Sequence, residues 1–251
     1  MINLVNVEYR RLFKLWSVPL LILLAVFFSY TVLDKVLTGD ILPGSFLQSG
    51  QATFANSFSV SLTIFGPVIL AGFFLGSDFT NRTLHQQVAN GHSRRSIVFA
   101  KTIVYSSFSA FLLLLTPLLT TVVVSIVNGW GGPFHVDDLL YILRVVVLVT
   151  VLNVSVVSIF ILISFVCRDI PKTLIMGALF TLVVIELGGW FADRMTQLGD
   201  IYKYFPLQQM TVVAQVHLSA NQLGKALLSA LILWLVSIGA SVFLFERQDL
   251  R

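Results

Sequence analysis

The sequence predicts an all-α membrane protein: six transmembrane helices, an N-terminal interfacial amphipathic helix and one more helix on the cytoplasmic side. Three observations predict it. The 251-residue chain is 57% hydrophobic and only 11% charged, whereas soluble domains carry roughly 25% charged residues, so a soluble fold would lack the polar residues to cover its surface. The few charges fall in short intervals between apolar runs, and several runs reach the ~20 residues that a helix needs to cross a bilayer. Lys and Arg are also unevenly shared between alternate intervals, as cytoplasmic and external loops are.

Taken in order, residues 2–14 mix Leu4, Val5, Leu12 and Phe13 with Glu8, Arg10, Arg11 and Lys14, a pattern suited to a helix lying in the interface. Trp16 and Pro19 open the first span, 16–33, with the aromatic at headgroup level and the proline in the first turn, where its missing N–H does no harm. The run is long, lacks a small-x-small cleavage site and precedes five more candidates, so it reads as a span and not as a leader. The second span, 54–76, holds Gly66 and Pro67, a candidate kink. The third, 97–127, is longer than a bilayer requires; its first turns, with Lys101, are expected in the cytoplasm, and Pro117 is a candidate bend. A Gly-rich loop, 128–138, leads to the fourth span, 139–166. Residues 167–172, CRDIPK, suit a tight cytoplasmic turn before the fifth span, 173–190. A long polar connection, 191–225, has room for short interfacial helices, and the sixth span is 226–245. The whole chain reads as a single transmembrane domain, 1–251.

With both termini inside, the cytoplasmic segments hold Arg10, Arg11, Lys14, Arg82, Arg94, Arg95, Lys101, Arg168, Lys172, Arg247 and Arg251, and the outside keeps Lys35, Arg144, Arg194, Lys203 and Lys225. Eleven of the sixteen basic residues are then inside, the bias expected of this orientation.

The longest polar interval on that side is 77–101, SDFTNRTLHQQVANGHSRRSIVFAK. Asp78 is placed to cap a helix and Gly91 to close it in the left-handed conformation, which predicts a helix over 79–90. Phe79, Thr83, Leu84, Gln87 and Val88 fall on one face, with Arg82, His85, Gln86 and Asn90 opposite. An ordinary surface helix and a helix presented to a partner both fit this pattern, and the flanking spans favour the second.

The chain has no G-x-x-x-x-G-K-[ST] loop and cannot hydrolyse ATP alone; H-E-x-x-H and G-x-S-x-G are missing too, so an enzyme is not indicated. The single cysteine, Cys167, excludes an internal disulfide framework, and four scattered histidines form no metal-ligand cluster. Asn81-Arg82-Thr83 and Asn153-Val154-Ser155 match a glycosylation sequon formally but fall in the cytoplasm and within a span. Glu186 is the one acid well inside an apolar run, where a charge costs roughly 2.5–3.5 kcal/mol. It is either a polar spot on a translocation path or subunit contact, or a carboxylate reaching headgroups beside Gly188, Gly189 and Trp190. Arg144 has the same ambiguity and can snorkel outward.

Asp78, Phe79, Thr83, Leu84, Gly91, Ser93, Arg94 and Lys101 together resemble the cytoplasmic loop of ABC-2 type transporter permeases, the membrane subunits of ATP-driven exporters. The C-terminal Phe245-Glu246-Arg247-Gln248-Asp249-Leu250 resembles the F-x-R-x-D-L ending of such permeases, and the six-span plan matches over essentially the whole chain. Many relatives have Gly just before the threonine, where this chain has Arg82, which leaves the local turn open. The resemblance implies a type V exporter-like fold in a bacterial-type plasma membrane. It implies a coupling helix, with Phe79, Arg82, Thr83, Leu84, His85, Gln86, Gly91 and Arg94, that docks on a separate nucleotide-binding subunit. It further implies two ATPase subunits and a second permease chain, identical or not, around a central path lined from the first, second and fifth spans. No cofactor is then bound by this chain; ATP and Mg²⁺ act through the partner subunit. Short family members often serve hydrophobic drugs, antimicrobial peptides or bacteriocin self-protection. The alternative, a secondary transporter or channel without an ATPase partner, would favour intramembrane charge pairs or two related halves with broken helices.

Overall fold

The computed structural model describes residues 1–38, 46–58, 62–184, 188, 190 and 202–247, and no strand occurs among them. The chain runs through α1 (Ile2–Lys14), α2 (Ser17–Leu37), α3 (Gly50–Ser57), α4 (Leu62–Leu70), a π-helical segment (Ala71–Gly76), α5 (Ser77–Thr80), α6 (Thr83–Ala89), α7 (Arg94–Asn128), α8 (Val136–Cys167), α9 (Ile170–Leu182), α10 (Pro206–Val213) and α11 (Ala220–Glu246). Four of these, α2, α7, α8 and α11, are long and apolar enough to cross a membrane; Phe65–Thr80 and Ile170–Leu182 are shorter apolar helices. The expected fifth span corresponds to α9, and Glu186 lies outside the described residues, as do 191–201 and 248–251.

Packing follows the logic of lipid, where small residues bring helices together and large apolar ones face outward. On α11 the buried positions include Ala226, Ala230, Ser237 and Ser241, while Leu228, Leu231 and Leu235 are exposed. The α4–π rod meets α9 at two glycines. A Cβ at Gly72 would lie 2.5 Å from Leu174 Cδ2, and one at Gly177 would lie 2.9 Å from Val68 Cγ1, so any larger residue there requires Leu174 or Val68 to shift.

The second span departs from the sequence expectation. Residues 50–57 form a separate helix, capped by Ser49 Oγ accepting from the Ala52 N–H. The helix is tied to the α7–α8 loop by Gly50 N–H to Gly129 O and Gln51 N–H to Trp130 O. Helix α4 runs through Pro67, and the irregular turn comes afterwards: Ser77 N–H donates to Gly72 O, five residues back. Tyr105, fully buried on α7, donates its hydroxyl to Pro67 O at 2.8 Å. Helix α7 likewise continues unbroken through Pro117.

The loops sort to the two ends of the bundle. At one end, Arg168 in the left-handed region (φ 56°) makes the α8–α9 turn, and a Cβ at Gly76 would lie 3.2 Å from Asp169 O. At the other, Tyr141 donates to Ala214 O at 2.6 Å and Arg144 to Gln215 O at 2.6 Å. Arg144 thus holds the carbonyls that follow α10, a specific partner that the snorkelling expectation did not foresee.

Candidate functional site

The segment from Ser77 to Lys101 folds as an elbow. The single helix expected over 79–90 is two: α5 ends at Thr80, and Arg82 stands in the left-handed conformation (φ 54°) before α6 begins at Thr83. The conformation is one that glycine reaches without a Cβ penalty, so the local turn that the sequence left open is made here with an arginine in it. Closure at the far end follows the expectation. Gly91 has φ 84°, its N–H bonds to Val88 O, and His92 N–H bonds to Gln87 O, the paired bonds of a Schellman motif. Ser93 then caps α7 by accepting from Ser96 N–H.

Helix α6 presses its apolar side onto the bundle. Leu84 is 1% exposed, Val88 packs against the same core, and Phe79 meets Phe165 edge-to-face at 5.4 Å between ring centres. Arg82, Gln86 and Asn90 are exposed, and His85 is half-buried.

Beneath the elbow lies a buried charge cluster. Asp78 does not cap a helix: its carboxylate, 0% exposed, pairs with Lys101 Nζ and with the Arg11 guanidinium and accepts from Thr83 Oγ1 at 2.5 Å. Lys101, 1% exposed, also reaches Glu8 Oε1 at 2.9 Å and lies 5.4 Å from the centre of the Phe74 ring. Glu8 accepts from Gln87 Nε2 at 2.5 Å and from Arg11 Nη1 at 3.4 Å. Two acids and two bases balance, which is what makes burial of Glu8, Asp78 and Lys101 beside the half-buried Arg11 tolerable. Burial alone would push the Asp78 carboxyl up, but Lys101 and Arg11, with hydrogen bonds from Lys101 and Thr83, hold it below its ordinary value. The cluster therefore joins α1, α5, α6 and α7 at a single point.

The sequence pattern makes Glu8 one of the charged residues of an interfacial helix. The structure instead puts Leu4, Glu8 and Leu12, spaced by four, on the face that packs inward. Lys101 lies on the second turn of α7, among the first turns as expected, and is buried there. The sequence held a signal for both: Lys101 is the sole Lys, Arg, Asp or Glu between 96 and 136, and Glu8 the sole acid before Asp34.

A second junction joins the two ends of the chain's motif set. Arg94 Nη1 donates to Phe245 O at 2.8 Å and Glu246 O at 2.7 Å, satisfying carbonyls at the end of α11 where a cation also suits the helix dipole. Arg95 Nε pairs with Glu246 Oε1 at 2.6 Å, and this hydrogen bond leads the charges of Arg95 and Arg94 in lowering the Glu246 carboxyl. Of the residues singled out in the sequence, Phe79, Thr83, Leu84 and Gly91 build the elbow, Arg82, His85 and Gln86 crown it, and Arg94 ties it to α11.

Among the described residues the chain is helical, with four helices long and apolar enough to cross a membrane, the make-up of a multi-pass membrane protein. A family model described as "ABC-2 family transporter protein" matches residues 20–250. The chain belongs to this family of transporter membrane domains, which implies association with ATP-binding subunits and a membrane location. No curated protein matches it.

Proposed function

We propose that the chain is the permease subunit of an ATP-driven exporter, with six spans, both termini in the cytoplasm, and two permease chains assembled with two ATPase subunits. The substrate is a hydrophobic or amphipathic molecule such as a drug or an antimicrobial peptide. Helix α6 is the coupling helix: Arg82, His85 and Gln86 meet the ATPase subunit, while Phe79, Thr83, Leu84, Gly91 and Arg94 hold the helix against the spans. ATP and Mg²⁺ bind to the partner subunit. Glu186 takes part in the translocation path or in the contact between permease chains.

The observation that carries this reading is the bonding of the elbow to the bundle through Asp78, Thr83 and Gln87. A chain without its own ATPase needs a contact through which nucleotide-driven motion reaches its spans, and a helix hydrogen-bonded through Thr83 and Gln87 to the carboxylates of a buried ion-pair cluster transmits displacement instead of absorbing it. The test is copurification from gently solubilised membranes, followed by ATP hydrolysis with and without substrate. A stoichiometric ATPase subunit supports the reading. A functional preparation without one favours a secondary transporter or channel.

A further inference from the structure

A slot of about 240 Å³ lies within the single chain, between α2, α3, α4 and α7. Its wall on α2 includes Leu21, Ala25, Phe28 and Val32, spaced three or four apart along one face, and its wall on α7 includes Leu112, Thr116 and Thr120. From Leu21 to Val32 at ~1.5 Å per residue the wall extends roughly 16 Å, so the slot is long and runs parallel to the spans.

The lining offers little for a polar ligand to hold. Among the described residues no charged side chain borders it, and four of its five hydroxyls donate to backbone, Thr31 to Phe28 O, Thr53 to Ser49 O, Ser57 to Thr53 O and Thr120 to Thr116 O, leaving that of Thr116. The volume exceeds the ~150 Å³ of an apolar cavity that takes benzene and falls short of the ~300–1,000 Å³ of sites for drug-sized ligands. Helix α2 turns Leu20, Leu23 and Phe27 outward, so only this one helix separates the slot from the surroundings of the chain.

We propose that the slot holds one hydrocarbon chain of a bilayer phospholipid, seated behind α2 as a resident of the fold and not as cargo. Length, narrowness and an apolar wall fit an acyl chain better than a compact ring system or an amphipathic drug. The proposal requires only a membrane location and stands apart from the ATPase partner.

The full chain in nanodiscs is irradiated with a phosphatidylcholine carrying a diazirine on one acyl chain and, separately, with a diazirine fatty acid; labelled residues are mapped by mass spectrometry. The expected result is labelling by the phospholipid at Ala25, Phe28 and Thr116, which face the slot, beside the outward Leu23. A Cβ at Gly66 meets Leu112 Cδ1 at 3.7 Å and Leu21 Cδ2 at 4.0 Å, ordinary contacts, so Gly66→Leu fills the slot and should lose the inward labels while keeping that at Leu23. Where Gly66→Leu does not fold, Ala25→Leu fills the slot from the opposite wall, read at Phe28 and Thr116. Inward labels that survive filling, labels confined to Leu23 and Phe27, or inward labels from the fatty acid alone each overturn the proposal.

Discussion

Lys101 Nζ lies 2.9 Å from Glu8 Oε1 across 93 positions of sequence, with side chains 1% and 0% exposed. Removing one partner of such a pair leaves an uncompensated buried charge, at a cost of about 3–5 kcal/mol. Lys101→Met should therefore lower the apparent Tm of the purified chain sharply. The double variant Glu8→Gln with Lys101→Met should cost less than the two single changes added together. Simple additivity in this cycle would show that the two groups do not interact.

The depressed Asp78 carboxyl gives a pH dependence of definite sign. Its contribution to stability is fully present above the unfolded aspartate value of about 3.9 and is lost as pH falls through the lower folded value. Melting curves collected downward from neutral pH should show this loss only below the ordinary carboxylate range. Asp78→Asn should remove that part of the profile, and an unchanged profile would assign the acid transition elsewhere.

Arg82 sits where glycine is favoured, and a left-handed residue with a side chain costs about 1 kcal/mol or more. Arg82→Gly should be neutral or stabilising in a melt, whereas Arg82→Val, branched at Cβ, should destabilise. The reverse order would mean that contacts of the arginine outweigh the backbone.

The two faces of α6 should separate folding from coupling. Arg82→Glu with His85→Glu should leave insertion and melting near those of the parent chain but reduce copurified ATPase or substrate-stimulated hydrolysis, because reversed charge at the rim of an interface acts on association. Leu84→Asp should instead lower the yield of folded permease, since it places a carboxylate at a site that is 1% exposed. Intact coupling in the double charge variant would remove this face from the interface.

Asn90 and Gly132, both exposed, lie in loops assigned to opposite sides of the membrane. In a Cys167→Ser background, Asn90→Cys should react with an impermeant thiol reagent only from the cytoplasm, and Gly132→Cys only from outside. Labelling of both from one side would refute the six-span arrangement.

The helical class, the family and the long spans could be read from the sequence because hydropathy and a motif spaced over Asp78 to Lys101 are both local signals. Gly91 as a helix terminator and Leu84 on the inward face were readable for the same reason, since a left-handed cap and helical spacing involve neighbours in sequence. The charge cluster was not, because it is assembled from α1, α5, α6 and α7, and no periodicity within one helix says that Glu8 will meet Lys101. The break at Arg82 was hidden by its residue type, which favours helix and gives no turn signal. Pro67 and Pro117 drew attention to kinks, yet the irregular turn fell on Ala71–Gly76, whose Gly72 and Gly76 lie against Leu174 and the α8–α9 turn.

That π-helical segment sets an angular phase. One residue beyond the α-helical repeat rotates everything after it by about 100° relative to an uninterrupted helix. Asp78 follows it by two positions, so the direction in which its carboxylate points depends on the residue count above it. Because the wide turn already holds one residue more than the α-helical repeat, losing one residue from 71–76 lets it close as α-helix with Asp78 still turned toward Lys101 and Arg11. Regularising the turn to α-helix at unchanged length would instead swing Asp78 away from both and carry the Arg82 turn round with it, although every residue of the cluster would still be present. The wide turn thus works as a timing element in the geometry of the chain, setting the phase at which the carboxylate enters the cluster.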